Sequence, residues 1–337
     1  MQTHILILRP GAIGDALLTF PIMQALRTRY NQGHITFVSN PAVIPLAHTF
    51  GLADEVSDYS SSQWSDLFSS SSIRHPVLHD LLHHTTDAIC WLRDPDGVVE
   101  QNLRTAGIQN VTIAPGRPME GSQIHVVEYL AETIGMHIDS TTVIAGAGRP
   151  QGPAPTILCR QWRQDVYSRG RPLWSPWWGS PHPTASQSHY IAIHPGSGSA
   201  NKCWPVPRFA AIITELWHRQ VPVLLLTGPD DAERLSDLLH QIASPPDPSL
   251  LTLLVNAPLL EVAEQLQHCR GYLGNDSGIT HLAAQLGIPT IALFGPSDPA
   301  TWQPVGPSVY VLHETVIDTL QVDVVMNVIV ARFMASL

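Results

Sequence analysis

Lysine is almost missing from this chain. Of the 18 basic side chains in 337 residues only Lys202 is not an arginine. An ammonium is a compact point charge and a guanidinium a planar fork, so the two are not equivalent beside a phosphate. The lone lysine follows the loop His194-Pro195-Gly196-Ser197-Gly198-Ser199, whose glycines and serines can offer backbone N–H and hydroxyl donors to an anion. Cysteine is scarce too. Cys90, Cys159, Cys203 and Cys269 lie far apart and form no C-x-x-C pair, which argues against a disulfide framework and a zinc knuckle. No apolar run reaches the length of a membrane-spanning helix. Met1-Gln2-Thr3-His4 leads straight into a strand-like run, without a signal-peptide pattern. The expectation is a cytoplasmic protein. Net positive charge is lacking as well. With 28 acidic against 18 basic residues the balance is −10, which disfavours general nucleic-acid binding. An anionic ligand must then be met by local positive charge and helix ends.

What is present is a repeated alternation of short apolar runs and helical patterns, in a chain long enough for two domains. In the first half Ile5–Leu8, His34–Val38, Asp54–Tyr59, Asp87–Leu92 and Asn110–Ala114 read as strands. Helices are expected over about Gly14–Tyr30 and His125–Gly135. The second half restarts the pattern, with strands at Tyr190–His194, Val221–Thr227, Leu251–Val255, Gly271–Gly274 and Thr290–Phe294. Its helices are expected at Pro207–Arg219, Asp230–Ile242, Pro258–His268, Ser277–Leu286 and Gln321–Phe333. Such alternation implies mostly parallel sheets covered on both faces, in two doubly wound α/β domains facing across a cleft. The domains are placed at 1–150 and 190–320, joined by a bridge at 151–189.

That bridge is unlike the rest. Seven prolines between Pro150 and Pro183 exclude regular helix or central strand. Trp162, Trp174, Trp177 and Trp178 stand there with Arg160, Arg163, Arg169 and Arg171 against Asp165. Such a stretch suits packing between domains; residues 158–178 also suit a peripheral contact with an anionic bilayer surface. The 17 histidines are numerous, and His79, His83 and His84 could share a helix face. They lack the glutamate of H-E-x-x-H, so a solvated face is preferred to a metal site.

Three clusters carry the chemistry. Arg9-Pro10-Gly11-Ala12-Ile13-Gly14-Asp15 lies where the first strand turns into the first helix, with Thr19 and Pro21 beyond. It lacks the third glycine of a dinucleotide fingerprint, which argues against a nicotinamide site. The His194–Ser199 loop with Lys202 and Trp204-Pro205 is not a Walker loop, because no Ser or Thr follows the lysine. Gly274-Asn275-Asp276-Ser277-Gly278-Ile279-Thr280-His281 caps a helix whose first N–H groups form an anion site.

In series, these clusters resemble glycosyltransferase family 9, the heptosyltransferase-like enzymes of bacterial envelope assembly. The matching residues run from the Gly-Asp turn, through His194-Pro195-Gly196 with Lys202-Cys203-Trp204-Pro205, to Asn275-Asp276-Ser277-Gly278 with His281. The resemblance implies a GT-B fold, an acceptor-binding first domain, a donor-binding second domain and a last helix, 321–337, packing back on the first. It also implies inverting transfer of heptose from ADP-heptose to a lipid-linked lipopolysaccharide inner-core acceptor, without metal or other cofactor. Asp15 would be the base, with Arg9, Gly14 and Thr19 on the acceptor side. Ser197, Gly198, Lys202, Asp276, Ser277, Gly278 and His281 would hold the donor, with Thr227 and Gly228 lining the nucleotide. A GT-B transferase or epimerase using another nucleotide sugar, or a non-catalytic binding relative, are the alternatives.

Overall fold

A computed structural model of the protein describes residues 3–70, 73–138, 190–242 and 244–334. The Trp/Arg-rich bridge, with the expected membrane contact at 158–178, lies outside the described residues. The described chain divides into two compact units, 3–138 and 190–334.

The first unit opens with strand β1 (His4–Arg9), helices α1 (Ile13–Leu17) and α2 (Phe20–Arg29), and β2 (His34–Ser39). It continues with α3 (Ile44–Thr49), β3 (Glu55–Asp58), α4 (Pro76–His84), β4 (Asp87–Trp91), α5 (Val98–Thr105), β5 (Asn110–Ala114) and α6 (Val126–Glu132). The expected single helix from Gly14 is in fact two. Pro21 has no N–H to give the Leu17 carbonyl and its ring would strike that oxygen. The Thr19 hydroxyl closes the break by donating to the Ala16 carbonyl at 2.5 Å. The five strands are all parallel, in the order β3-β2-β1-β4-β5. Ile5–Leu8 of β1 is buried on both faces, the uninterrupted apolar run that a central parallel strand requires.

The second unit contains β6 (Tyr190–His194), α7 (Val206–His218), β7 (Val223–Thr227), α8 (Ala232–Gln241), β8 (Leu251–Val255), α9 (Leu259–Leu266) and β9 (Cys269–Asn275). After them come α10 (Gly278–Gln285), β10 (Thr290–Phe294), α11 (Pro299–Trp302), β11 (Val309–His313) and α12 (Val322–Ile329). The sheet is parallel, with the order β11-β10-β9-β6-β7-β8. Read from the other edge this is the third, second, first, fourth, fifth and sixth strand, the dinucleotide-type winding. Strand β11, absent from the sequence reading, exists through its pairing with β10, from Thr290↔Val309 to Phe294↔His313. Helix α7 lays Phe209, Ile212, Ile213, Leu216 and Trp217 on the sheet, all essentially inaccessible. Each such burial contributes about 1.5–3 kcal/mol.

The resemblance implies a last helix packed on the first domain. Its apolar face, Val325, Met326 and Ile329, with Phe333 in the wide turn that follows, lies in the core of the second unit beside Ile191, Trp204 and Leu273. Gly271 on β9 leaves the room that Phe333 occupies, since a Cβ there would sit 2.5 Å from the ring. The physical reason is local. After β11 and a short turn at Ile317–Thr319 the helix packs against α7, and the turn that follows it packs against β9.

Candidate active site

Each sheet changes winding direction at one place, between β1 and β4 in the first unit and between β6 and β9 in the second. Loops at the carboxyl ends of those strands diverge, and ligands of open α/β sheets bind in the opening. All three sequence clusters follow β1, β6 or β9.

In the first unit Arg9 ends β1 and turns inward, 4% exposed. Its Nη2 donates to Asp15 Oδ1 at 3.1 Å and to the Gly116 carbonyl at 2.8 Å. Burial pushes the guanidinium pKa down, and the Asp15 carboxylate opposes that shift. Gly116 makes the passage possible, because a Cβ there would lie 1.9 Å from Arg9 Nη1. The second Asp15 oxygen accepts the Ala12 N–H at 3.3 Å, completing the first turn of α1 from its N3 position. Gly11, at φ +142°, takes a backbone conformation suited to glycine and passes close over the same carboxylate. Asp15 is thus fixed in orientation yet 32% exposed. Gly14 lies within α1. Thr19 is fully buried, its hydroxyl used at the helix break.

In the second unit Asn275 fastens the two site loops together. Fully buried, it accepts the Trp204 N–H at 3.0 Å and donates to the Pro195 and Gly196 carbonyls at 2.8 and 3.2 Å. Ser197 Oγ donates to the Asp276 carbonyl at 2.6 Å. Lys202 reaches across to Asp276 Oδ2 at 2.8 Å, and His281 Nε2 stands 3.9 Å from Oδ1. Asp276 is 7% exposed while the lysine is 35% exposed, so the ammonium keeps donors for a ligand. Nothing lies within 4 Å of a Cβ built on Gly198, and the space over that loop is open. Ser277 is the N-cap of α10 but makes no side-chain cap bond.

Two residues outside the sequence-stated set join this group. His194, at the end of β6, places Nδ1 3.3 Å from Ser277 Oγ and Nε2 3.1 Å from Asp231 Oδ2. Asp231 follows β7 and also accepts the Gly228 N–H at 2.8 Å. Burial raises its pKa, but the bonds from His194 and Gly228 outweigh this and hold it below the usual carboxylate value. The sequence offered a signal for both, in His194-Pro195-Gly196 and Gly228-Pro229-Asp230-Asp231. Thr227 is buried beside them with no partner for its hydroxyl. Gly196 packs closely on this pair: a Cβ would lie 2.0 Å from Asp231 Oδ1. Gly196→Ala should therefore cost about 1–3 kcal/mol, read as a fall in the urea midpoint; an unchanged midpoint would show that Asp231 can move aside.

His79, His83 and His84 sit exposed on α4. Among the described residues no three His, Cys, Asp or Glu side chains gather as a metal cluster. Cys203 is buried, and desolvation pushes its thiol pKa up. No described helix is long and apolar enough to cross a membrane.

Two parallel, doubly wound α/β units with polar loops at their switch points define the GT-B class of fold. Solved structures agree on the fold. The chain is similar to Escherichia coli ADP-heptose lps heptosyltransferase II with TM-score 0.69 at 18% identity, over 100% of this chain and 99% of that one. It is also similar to E. coli heptosyltransferase WaaC, solved with ADP, with TM-score 0.66 at 17% identity over 98% and 100% of the two chains. In sequence, residues 178–321 match the family described as glycosyltransferase family 9 (heptosyltransferase). A curated relative, lipopolysaccharide heptosyltransferase 3 of E. coli, is 30% identical over 118 residues, which are 34% of this chain and 34% of that enzyme. The match thus spans about a third of the length of that relative.

Proposed function

We propose that this protein is an inverting glycosyltransferase that moves heptose from ADP-heptose onto a lipid-linked lipopolysaccharide inner-core acceptor, without a metal ion. The observation that carries the reading is the Lys202–Asp276 pair between the Ser197-Gly198 loop and the N-terminus of α10. The sole lysine of the chain meets there the acid that precedes a helix start, inside the family-matched segment. The lysine and the helix start are suited to a diphosphate.

Inversion requires an acceptor oxygen to attack the anomeric carbon from the face opposite the diphosphate. As the new C–O bond forms, the bond to the ADP oxygen breaks and the hydroxyl proton passes to a base. Asp15 is the base in this reading, held ready by Arg9 and the Ala12 N–H. The carbon passes through an oxocarbenium-like state. The charge growing on the leaving diphosphate is met by Lys202 and the first N–H groups of α10. Asp276 and His281 set the position of the lysine and of the sugar.

The test is transfer itself. Purified protein, ADP-heptose and a core lipopolysaccharide truncated before its heptose residues should give an acceptor heavier by one heptose, seen by mass spectrometry and unaffected by EDTA. ADP-sugar, but not UDP- or GDP-sugar, should raise the melting temperature. Stabilisation by UDP- or GDP-sugar alone would replace the donor. Donor binding with no transfer to any core acceptor would favour a non-catalytic relative.

A further inference from the structure

His194 ends β6, and the polar groups on either side of its ring fix where protons can lie. On one side Thr280 Oγ1 donates to the Asn275 carbonyl at 2.5 Å, so its single proton is spent. The contact of Ser277 Oγ with Thr280 Oγ1 at 3.0 Å therefore takes the serine proton. Tyr272, fully buried, brings its hydroxyl to the same pair, 3.0 Å from Thr280 Oγ1. Burial pushes that phenol's pKa up, so it stays a donor. Each of these hydroxyl protons is committed within the group. Ser277 Oγ then turns only lone pairs toward His194 Nδ1, 3.3 Å away. Nδ1 must donate.

On the other side stands Asp231. Its Oδ2 accepts the Gly228 N–H at 2.8 Å and lies 3.1 Å from His194 Nε2. Burial raises the pKa of this acid, but the bonds from His194 and Gly228, with the charge of Arg234 nearby, hold it below the usual value. An ionised carboxylate only accepts, so Nε2 must donate too. A neutral imidazole carries one N–H and can serve one side; serving both takes the imidazolium. A buried cation needs an anion in contact with it. Asp231 supplies one, with 10% of its side chain and 7% of the histidine's exposed.

We infer that His194 carries a proton on both ring nitrogens and, as a cation, is a positioning residue of the proposed donor site: it donates to Asp231 after β7 and to Ser277 after β9. In the sheet β6 lies between β9 and β7, so one side chain ties three neighbouring strand ends together. This role rests on the functional reading above, in which the start of α10 meets the donor diphosphate. His194 exchanges no proton with substrate in it.

The charge is read directly by 15N NMR on the full chain at neutral pH, the ring being assigned through its connection to Ile193. A solvated imidazole is mostly neutral there. His194 should instead show two protonated nitrogens, each coupled to its own hydrogen. A bare nitrogen at either position would overturn the inference. Asp231→Asn keeps the shape of the partner and removes its charge, so the ring should give up one proton. ADP affinity, measured by calorimetry, should fall about tenfold in the same variant, the scale of one hydrogen bond to a charged group. A ring that keeps both protons in Asp231→Asn, or an unchanged affinity, would reject the ion pair as the clamp. Adding His194→Gln should cost little more, because both changes break one pair; fully additive losses would count against it. Packing alone would leave the protonation of the ring unmoved. Should Asp231→Asn not fold, the wild-type spectrum still decides. Wild-type protein with a doubly protonated ring that binds no ADP would sink the functional reading, a separate failure.

Discussion

Asp15→Asn is expected to lower kcat by about 10²–10⁴-fold, the usual share of a general base, while ADP affinity stays near that of the wild type. The amide keeps the shape of the side chain and can still accept from Arg9 Nη2, now 3.1 Å from the carboxylate. It cannot take a proton. Since α1 begins one residue after Ala12 and its first turn is closed by the Asp15 side chain, a small loss of melting temperature accompanies the change. Steady-state transfer kinetics and ADP calorimetry on the same preparation separate the two effects. Turnover within tenfold of wild type, with ADP-heptose and a competent acceptor, would assign the base elsewhere. Arg9 is the control: it orients the carboxylate, and its guanidinium is far too weak an acid to exchange the proton.

Lys202→Ala is expected to reduce kcat/KM for the donor by about 10²–10³-fold, with both KM raised and kcat lowered. An ammonium that only held the ground state would move KM alone. The alanine variant also leaves Asp276, 7% exposed, without its cation, so its melting temperature is measured alongside; truncating one partner of a buried pair destabilises through the charge left behind. Lys202→Arg restores the charge without the shape. A planar fork should recover part of the binding and less of the turnover, because it cannot follow the diphosphate into the space beside Asp276 as a point charge does. Full activity in the arginine variant would reduce the lysine to a generic positive charge.

Much of this architecture was legible in the residues. Uninterrupted apolar runs such as Ile5–Leu8 and Val223–Leu226 are what parallel strands buried on both faces require, and they lie where expected. The polar loops after β1, β6 and β9 were legible from their composition. Glycine, serine and acid next to a strand end have few other uses. The edges were harder. Val309–His313 is strand because β10 offers it a partner, and a five-residue run carries too little periodicity to announce that by itself. The break at Leu18–Thr19 was signalled by Pro21 and passed over, since the apolar spacing runs straight through it. Asp231 is the plainest case at the site. An acid after a Gly-Pro turn reads as a solvated helix start, and only the fold brings it beneath Gly196 and against His194.

By itself the sequence determined the two parallel sheets, the three polar loops at strand ends and the identity of the single lysine, because backbone periodicity and loop composition are local properties. Tertiary structure alone decided that Asp276 meets Lys202 from 74 residues away, that Asn275 binds both site loops, and that the last helix covers the second sheet. Those outcomes depend on the order in which strands pair. The pairing is settled by burial and hydrogen bonding over the whole sheet, and no window of residues contains it.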